Sequence, residues 1–228
     1  MAPPKTVVLS LGGSLIAPDD VDIAFLKRFS NLVRKKKDTR FIIVCGGGMT
    51  CRHYQDAAKR LGVTSHEDLD WIGIKATRLN AELVRAVFGK AAHPIVAGDP
   101  ARRVRTNRRI LVGAGFKPGC SSDHDAVLLA NAFKADTIIN LSNITHAYTK
   151  DPRKHKDAQK IGRCTWGEFQ RIVGTKWVPG GNFPFDPRAS KLAKRLRLRV
   201  IIAKGSDITN LDKMLSGKRF VGTQIGPD

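Results

Sequence analysis

Residues 7–14 read Val7-Val8-Leu9-Ser10-Leu11-Gly12-Gly13-Ser14, and residues 41–48 read Phe41-Ile42-Ile43-Val44-Cys45-Gly46-Gly47-Gly48. Each is an apolar, β-branched run that stops at glycine and leads into an amphipathic stretch. A continuous run of this kind predicts a strand covered on both faces, as parallel sheets demand. Glycine lets the backbone approach a bound group, and the helix that follows aims free amides at it. One such turn is a weak sign of anion binding. Two within the first 48 residues predict two phosphate-bearing ligands held side by side, the arrangement phosphoryl transfer needs.

Outward from these turns the chain alternates between two periods. Strands are predicted at residues 6–11, 40–45, 92–97, 109–112, 136–141 and 198–203, with an edge strand at 220–224. Helices are predicted at residues 21–37, 49–61, 66–88, 123–133, 166–173, 187–196 and 210–216. Ser65 with Asp68 marks a helix start, Gly62 ends the helix before it, and Pro187 suits a first turn. Residues 148–162 read as polar and irregular, and residues 176–186 as a Gly/Pro-rich connection. The alternation predicts an α/β fold, a three-layer α/β/α sandwich on a mainly parallel central sheet. Ligands of such sheets sit beyond the carboxyl ends of the strands. The turns at 12–14, 46–48, 113–123 and 142–143 all follow strands, so they are expected to meet on one rim.

The chain has 228 residues, of which 42% are hydrophobic, enough for one large domain. No apolar run approaches the roughly 18–20 residues of a membrane span, and the N-terminus leads straight into a strand. A cytoplasmic protein with no membrane partner is expected. The spacing of Cys45, Cys51, Cys120 and Cys164 fits neither a zinc knuckle nor a redox pair, so no protein-held metal is expected. Forty Lys and Arg against twenty Asp and Glu give a net charge of +20. The basic clusters, such as 34–37 and 191–199, carry no interleaved aromatic residues, so a base-stacking surface is not indicated and nucleic acid is an unlikely partner. A field that attracts nucleotide anions remains open.

Taken in order, the motifs resemble those of the archaeal-type UMP kinases of the amino acid kinase superfamily. They are Leu11-Gly12-Gly13-Ser14; Gly46-Gly47-Gly48 with Arg52; Asp70-Trp71-Ile72-Gly73-Ile74 with Thr77-Arg78-Leu79-Asn80-Ala81; Pro118-Gly119 with Ser121-Ser122-Asp123; Asn143 with Tyr148 and Asp151-Pro152; and Asp186-Pro187 with Ala189 and Lys191. The resemblance runs from about Val7 to Thr223. It implies one amino-acid-kinase domain over residues 1–228, with an acceptor and oligomerising part at roughly 1–135 and an ATP part at roughly 136–228. It implies Mg2+-dependent transfer of the ATP γ-phosphoryl group to UMP, and a homohexamer. By the same resemblance Gly12, Gly13, Ser14, Gly48, Arg52, Ser142, Asn143, Tyr148 and Asp151 lie at ATP. Gly47, Asp70, Phe116, Lys117, Pro118, Gly119, Cys120, Ser121 and Ser122 lie at UMP. Arg52, Lys191, Gly13 and Ser14 are the candidate catalytic groups, because amides and cations offset charge on a phosphoryl group in flight.

Several of these residues have a second reading. Ser14 also suits a helix cap, Asp70 a pair with Lys75 or with a neighbouring helix, Arg78 a surface or subunit pair, Asp123 a cap, Tyr148 core packing, and Lys191 a solvated basic face. The chain also departs from the family pattern. Ser10 stands where many superfamily members carry lysine, Thr145 where an acid is usual, and His146 where glycine is usual. A histidine there demands a different backbone geometry, or strain if φ is positive. His124-Asp125 follows Asp123 where small or aliphatic residues are usual. His124 and His146 read as bystanders of the site loops. These departures keep two alternatives open: a related kinase with another small acceptor, and a weakened nucleotide-binding regulator.

Overall fold

The computed structural model describes residues 4–102, 104–174 and 183–227. Seven strands form one sheet in the order β3-β2-β1-β4-β8-β9-β7: β1 (Lys5–Leu11), β2 (Thr39–Cys45), β3 (Ile110–Gly113), β4 (Thr137–Ser142), β7 (Arg163–Thr165), β8 (Arg199–Lys204) and β9 (Thr223–Gly226). Every pairing is parallel except β8 with β9. The helices are α1 (Gly13–Ile16), α2 (Ile23–Lys35), α3 (Gly48–Arg60), α4 (His66–Phe88), α5 (Ser122–Ala132), α6 (Trp166–Val173), α7 (Pro187–Arg195) and α8 (Ile208–Leu215).

Alternation along each strand divides the core between the two faces of the sheet. Val7, Leu9, Leu11, Phe41 and Ile43 pack with Phe25, Phe29, Val84, Phe88 and Leu211 of α2, α4 and α8. Val8, Ile42, Val44, Ile138 and Val200 pack with Ala126, Trp166, Phe169 and Ala189 of α5, α6 and α7. Trp166 is fully buried, and its indole N–H donates to the Leu198 carbonyl at 2.9 Å, so the burial leaves no orphan donor. Ser65 caps α4 as expected, accepting from the Asp68 amide. The three-layer α/β/α sandwich predicted from the alternation is therefore the observed fold.

Three local expectations are corrected. Residues 92–97 are not a strand; they touch β3 only through the bridges Ala92–Ile110 and Ala97–Gly113, because Pro94 lacks the N–H that a ladder needs. The predicted edge strand is β9, and it lies inside the sheet, covered by the three-residue β7. The polar 148–162 stretch is bracketed by a short antiparallel pair, β5 (Ala147–Tyr148) and β6 (Lys160–Ile161). Of the 176–186 connection, residues up to 182 lie outside the described residues.

The connections from β1 run to β2 and β3 on one side, and β4 and β8 lie on the other. A crevice forms where connections diverge in this way, at the carboxyl ends of β1 and β4.

Candidate active site

The two glycine turns are built against each other at this crevice. The Gly12 amide donates to the Leu141 carbonyl at 2.9 Å, and the Gly46 amide donates to the Leu11 carbonyl at 2.9 Å. These two amides are thus spent on the sheet rather than offered to a ligand, which corrects the expectation that the whole turns supply donors. Among the described residues the amides of Gly13, Ser14, Gly47 and Gly48 carry no hydrogen bond. A Cβ on Gly13 would run into the Gly48 amide nitrogen and lie 2.6 Å from the Gly47 carbonyl carbon. Gly48 sits at φ +64°, where glycine alone is unstrained. Gly12 lies beside Ser142, with a Cβ there 3.6 Å from the Ser142 Cα. Ser14 lies inside α1, whose cap is Gly12, so its hydroxyl is not a cap.

Helix α4 holds both the second turn and the loop at residues 115–121. On one of its faces the Asn80 side chain, buried, donates to the Gly46 carbonyl at 2.8 Å and the Gly47 carbonyl at 3.1 Å. The Thr77 hydroxyl accepts from the Gly115 amide at 2.9 Å, and the Arg78 guanidinium points at the Gly115 carbonyl at 3.4 Å. Asp70 accepts from the Gly119 amide at 2.7 Å. Positions 70, 77 and 80 recur at helical spacing on one stripe. Asp70 and Arg78 are therefore neither an ion pair with Lys75 nor fully exposed groups; they clip the loop, and the Gly119 amide engages one of the two Asp70 oxygens. Lys117 lies over the Phe116 ring, and Pro118 and Cys120 are half-buried.

The first turns of α5 and α7 meet behind that loop. The Asp123 carboxylate accepts from the Ser10 hydroxyl at 3.3 Å and from the Asp186 amide at 3.1 Å. Burial, aided by the nearby Asp186 charge, pushes Asp123 up to about 6, against the pull of those two hydrogen bonds. Ser121 caps α5 by accepting from the His124 amide, and Ser122 opens the helix. Asp186 caps α7 by accepting from the Ala189 amide. From α7 the Arg188 guanidinium donates to the Gly119 carbonyl at 2.9 Å.

The remaining predicted residues are less tightly drawn in. Arg52 is exposed on α3, with the Met49 sulfur at 3.7 Å as its contact. Lys191 is exposed on α7 and makes no ion pair among the described residues. Ser142 and Asn143 close β4 at the rim, and Tyr148 is half-buried in β5. The Asp151 carboxylate is engaged by Arg153 at 3.0 and 3.1 Å, a local pair that a ligand would have to displace. His146 is not among the positive-φ residues, so the backbone takes another geometry there and stores no left-handed strain. Burial lowers its pKa, and its Nδ1 has no partner among the described residues. A hollow of about 510 Å³ lined by His93, Pro94 and residues 105–108 opens at the start of β3, on the opposite rim, with no glycine turn beside it.

Residues 5–204 match the amino acid kinase family. The chain belongs to the amino acid kinase family. Within this family it is 36% identical to a uridylate kinase of Thermoplasma volcanium over 97% of both chains. It is 35% identical to a uridylate kinase of Thermococcus onnurineus, over 97% of this chain and 99% of that one. The crystal structure of uridylate kinase from Archaeoglobus fulgidus superposes with a TM-score of 0.84 at 32% identity, covering 96% of this chain and 99% of that one. A UMP kinase from Bacillus anthracis, 20% identical, shares the fold with a TM-score of 0.80.

Three features of this amino acid kinase site escaped the sequence reading. Ser10 was read as the absence of a lysine; it is a hydroxyl donor to Asp123. Asn80 carried a motif but no role, and Arg188 carried neither. The polar residue on the inner face of α4 at 80 was the available signal for Asn80. For Arg188 no signal existed, since its partner lies 69 positions away.

Proposed function

We propose that this chain phosphorylates UMP to UDP with ATP and Mg2+, as a step in pyrimidine nucleotide supply. The observation that carries the reading is the meeting of the Gly13 and Gly47–Gly48 turns, with α4 tying one of them and the acceptor loop into one frame. The choice of UMP rests on the near-full-length similarity to uridylate kinases. In this reading the domain divides at about residue 135: the earlier part carries the acceptor pocket and the association surface, the later part carries the rest of the ATP side, and Gly12–Ser14, Gly48 and Arg52 reach ATP from the earlier part. The exposed Tyr54, Trp71 and Leu79 on α3 and α4 offer apolar surface that a homohexamer would cover.

In this reading the bond from γ-phosphorus to the β,γ-bridging oxygen breaks, and a phosphate oxygen of UMP takes the phosphoryl group. ADP leaves with the bond electrons. The attacking oxygen is already anionic, so no strong base is needed. The amides of Gly13, Ser14, Gly47 and Gly48, the Ser14 hydroxyl and the guanidinium of Arg52 offset charge at the transferring group. Lys191 supplies a further cation at the β,γ-phosphates. Gly12 and Ser142, with Asn143, Tyr148 and Asp151, line the donor side. Asp70 holds UMP through the oxygen that the Gly119 amide does not engage, most simply at ribose hydroxyls, and residues 116–122 wrap it. The donor set suits Mg2+, which prefers oxygen: Asp123 is a carboxylate beside the crevice whose oxygens each retain a lone pair. When bound with ATP, Mg2+ neutralises charge on the β- and γ-phosphates.

The test is ADP release with ATP-Mg2+ and each nucleoside monophosphate in turn. Turnover with UMP well above CMP is expected. Turnover with CMP or a non-nucleotide phosphate but not UMP overturns the acceptor, and ATP binding without any turnover favours a regulator.

A further inference from the structure

We propose that Cys120, His124 and Asp125 form a binding site for a divalent transition-metal ion of the Zn2+ class, which fastens the 115–121 loop to the first turn of α5. One possible ligand atom from each side chain lies within 4.8 Å of the other two. The inference does not depend on which acceptor the kinase uses.

The geometry follows from the helix start. Ser121 is the cap of α5, so Cys120 is the residue before the cap and Asp125 the fourth residue of the helix. These two positions face each other at helix entries and are commonly a pair of apolar side chains. Here the pair is a thiol and a carboxyl, with an imidazole from the adjacent position at 124. What would ordinarily be packing is replaced by three donors. None of the three is needed to cap the helix, because the Ser121 hydroxyl already accepts from the His124 amide at 3.2 Å.

A second observation is independent of that spacing. Asp125 is 0% exposed, and neither carboxylate oxygen has a hydrogen-bond partner among the described residues. The Phe116 amide is the backbone group that favours the charged form of Asp125, without meeting hydrogen-bond geometry to either oxygen. The Nδ1 of His124 is also buried without a partner, and the Cys120 thiol is free. Buried polar groups are normally satisfied, so orphans clustered in one place need an explanation. A cation bound between them provides one.

The donor chemistry selects the cation. Thiolate, imidazole and carboxylate are the ligands of Zn2+, whereas Mg2+ and Ca2+ prefer oxygen alone. With metal–ligand bonds of about 2.0–2.3 Å, ligand atoms on a tetrahedral ion stand about 3.6 Å apart. From a spread of at most 4.8 Å, the ligand atoms need to come about 1 Å nearer one another. Three protein ligands leave a fourth position for water or a ligand oxygen. The surrounding charges are mixed: Asp123 and Asp186 favour a cation, while Lys117 and Arg188 oppose it. Arg188 is directed to the Gly119 carbonyl and Lys117 to the Phe116 ring.

The test uses the full chain, reduced and freed of metal with a chelator, and titrated with Co2+ and then Zn2+. One equivalent of Co2+ is expected to give a thiolate-to-cobalt charge-transfer band with intense tetrahedral visible bands, displaced by Zn2+. Zn2+ should also raise the thermal midpoint. Cys120→Ser and His124→Ala should each abolish the band and the thermal shift, and Cys51→Ser should keep both. Asp125→Asn should weaken Co2+ at least tenfold; if it does not fold, Cys120→Ser, at a half-buried position, still decides. No charge-transfer band in the unaltered chain, or a band and thermal shift undiminished in Cys120→Ser, overturns the site.

Discussion

Arg52 is exposed on α3 with the Met49 sulfur as its hydrogen-bond contact, and it makes no ion pair among the described residues. Arg52→Ala should lower kcat by about 10²–10³, the effect of removing one well-placed donor to a developing charge. The thermal midpoint should stay where it is, because the side chain is exposed; steady-state kinetics and a melt on the same sample check both. Gly13 presents the opposite case. A methyl group there meets the backbone of Gly47 and Gly48, and backbone cannot turn aside as a side chain can. Gly13→Ala should cost about 1–3 kcal/mol of stability by overpacking, read by denaturant titration, and activity should fall with it. Gly13 was legible from its place at a strand end. That its neighbour is Gly48, and that the Gly12 amide is consumed by Leu141, was not, because both contacts join distant parts of the chain.

Among the elements, α4 does most to shape the site. Asn80 is buried and is the donor to two carbonyls of the second glycine turn. Asn80→Ala should cost about 1–3 kcal/mol, since one buried and one part-buried acceptor lose their partner, and should lower kcat/KM by loosening Gly47 and Gly48. Asn80→Asp should not rescue either, because a carboxylate cannot donate; melts and kinetics of the two variants make the comparison. Helices α5 and α7 share another trait. Each is followed by a non-glycine residue in the left-handed region, Lys134 and Arg197, both at φ +54°. Left-handed backbone costs an L-residue about 1–2 kcal/mol, part of which glycine returns through its freedom when unfolded. Lys134→Gly and Arg197→Gly should each stabilise the fold by about 0.5–1 kcal/mol, read as a raised denaturation midpoint. Periodicity located nearly all the helices to within two residues, because their buried stripes are long. It misplaced β9 and missed β7, where three or four residues carry too little pattern to register.

For the whole molecule the dominant quantity is the net charge of +20. No helix among the described residues is long and apolar enough to cross a membrane. If the chain acts on nucleotides as proposed, the field of such a charge would draw those anions in, and salt would screen it over a Debye length of about 8 Å at physiological ionic strength. KM for ATP should therefore rise as salt is added while kcat changes little. A KM that is flat across the salt series would mean that only local groups act on the nucleotide.

By itself the sequence determined the layers and the rim. A buried parallel strand must read as an unbroken apolar run, and the turn after it must be glycine if backbone is to meet backbone, so both leave local marks. Only the tertiary structure decided how the rim is held. Asn80 on Gly46 and Gly47, Asp70 on Gly119, Asp123 between Ser10 and Asp186, and Arg188 on Gly119 are hydrogen bonds between residues 33 to 113 positions apart. A lone polar contact across such a distance has no period and no local propensity. It exists only once the sheet has set the register that brings its two ends together.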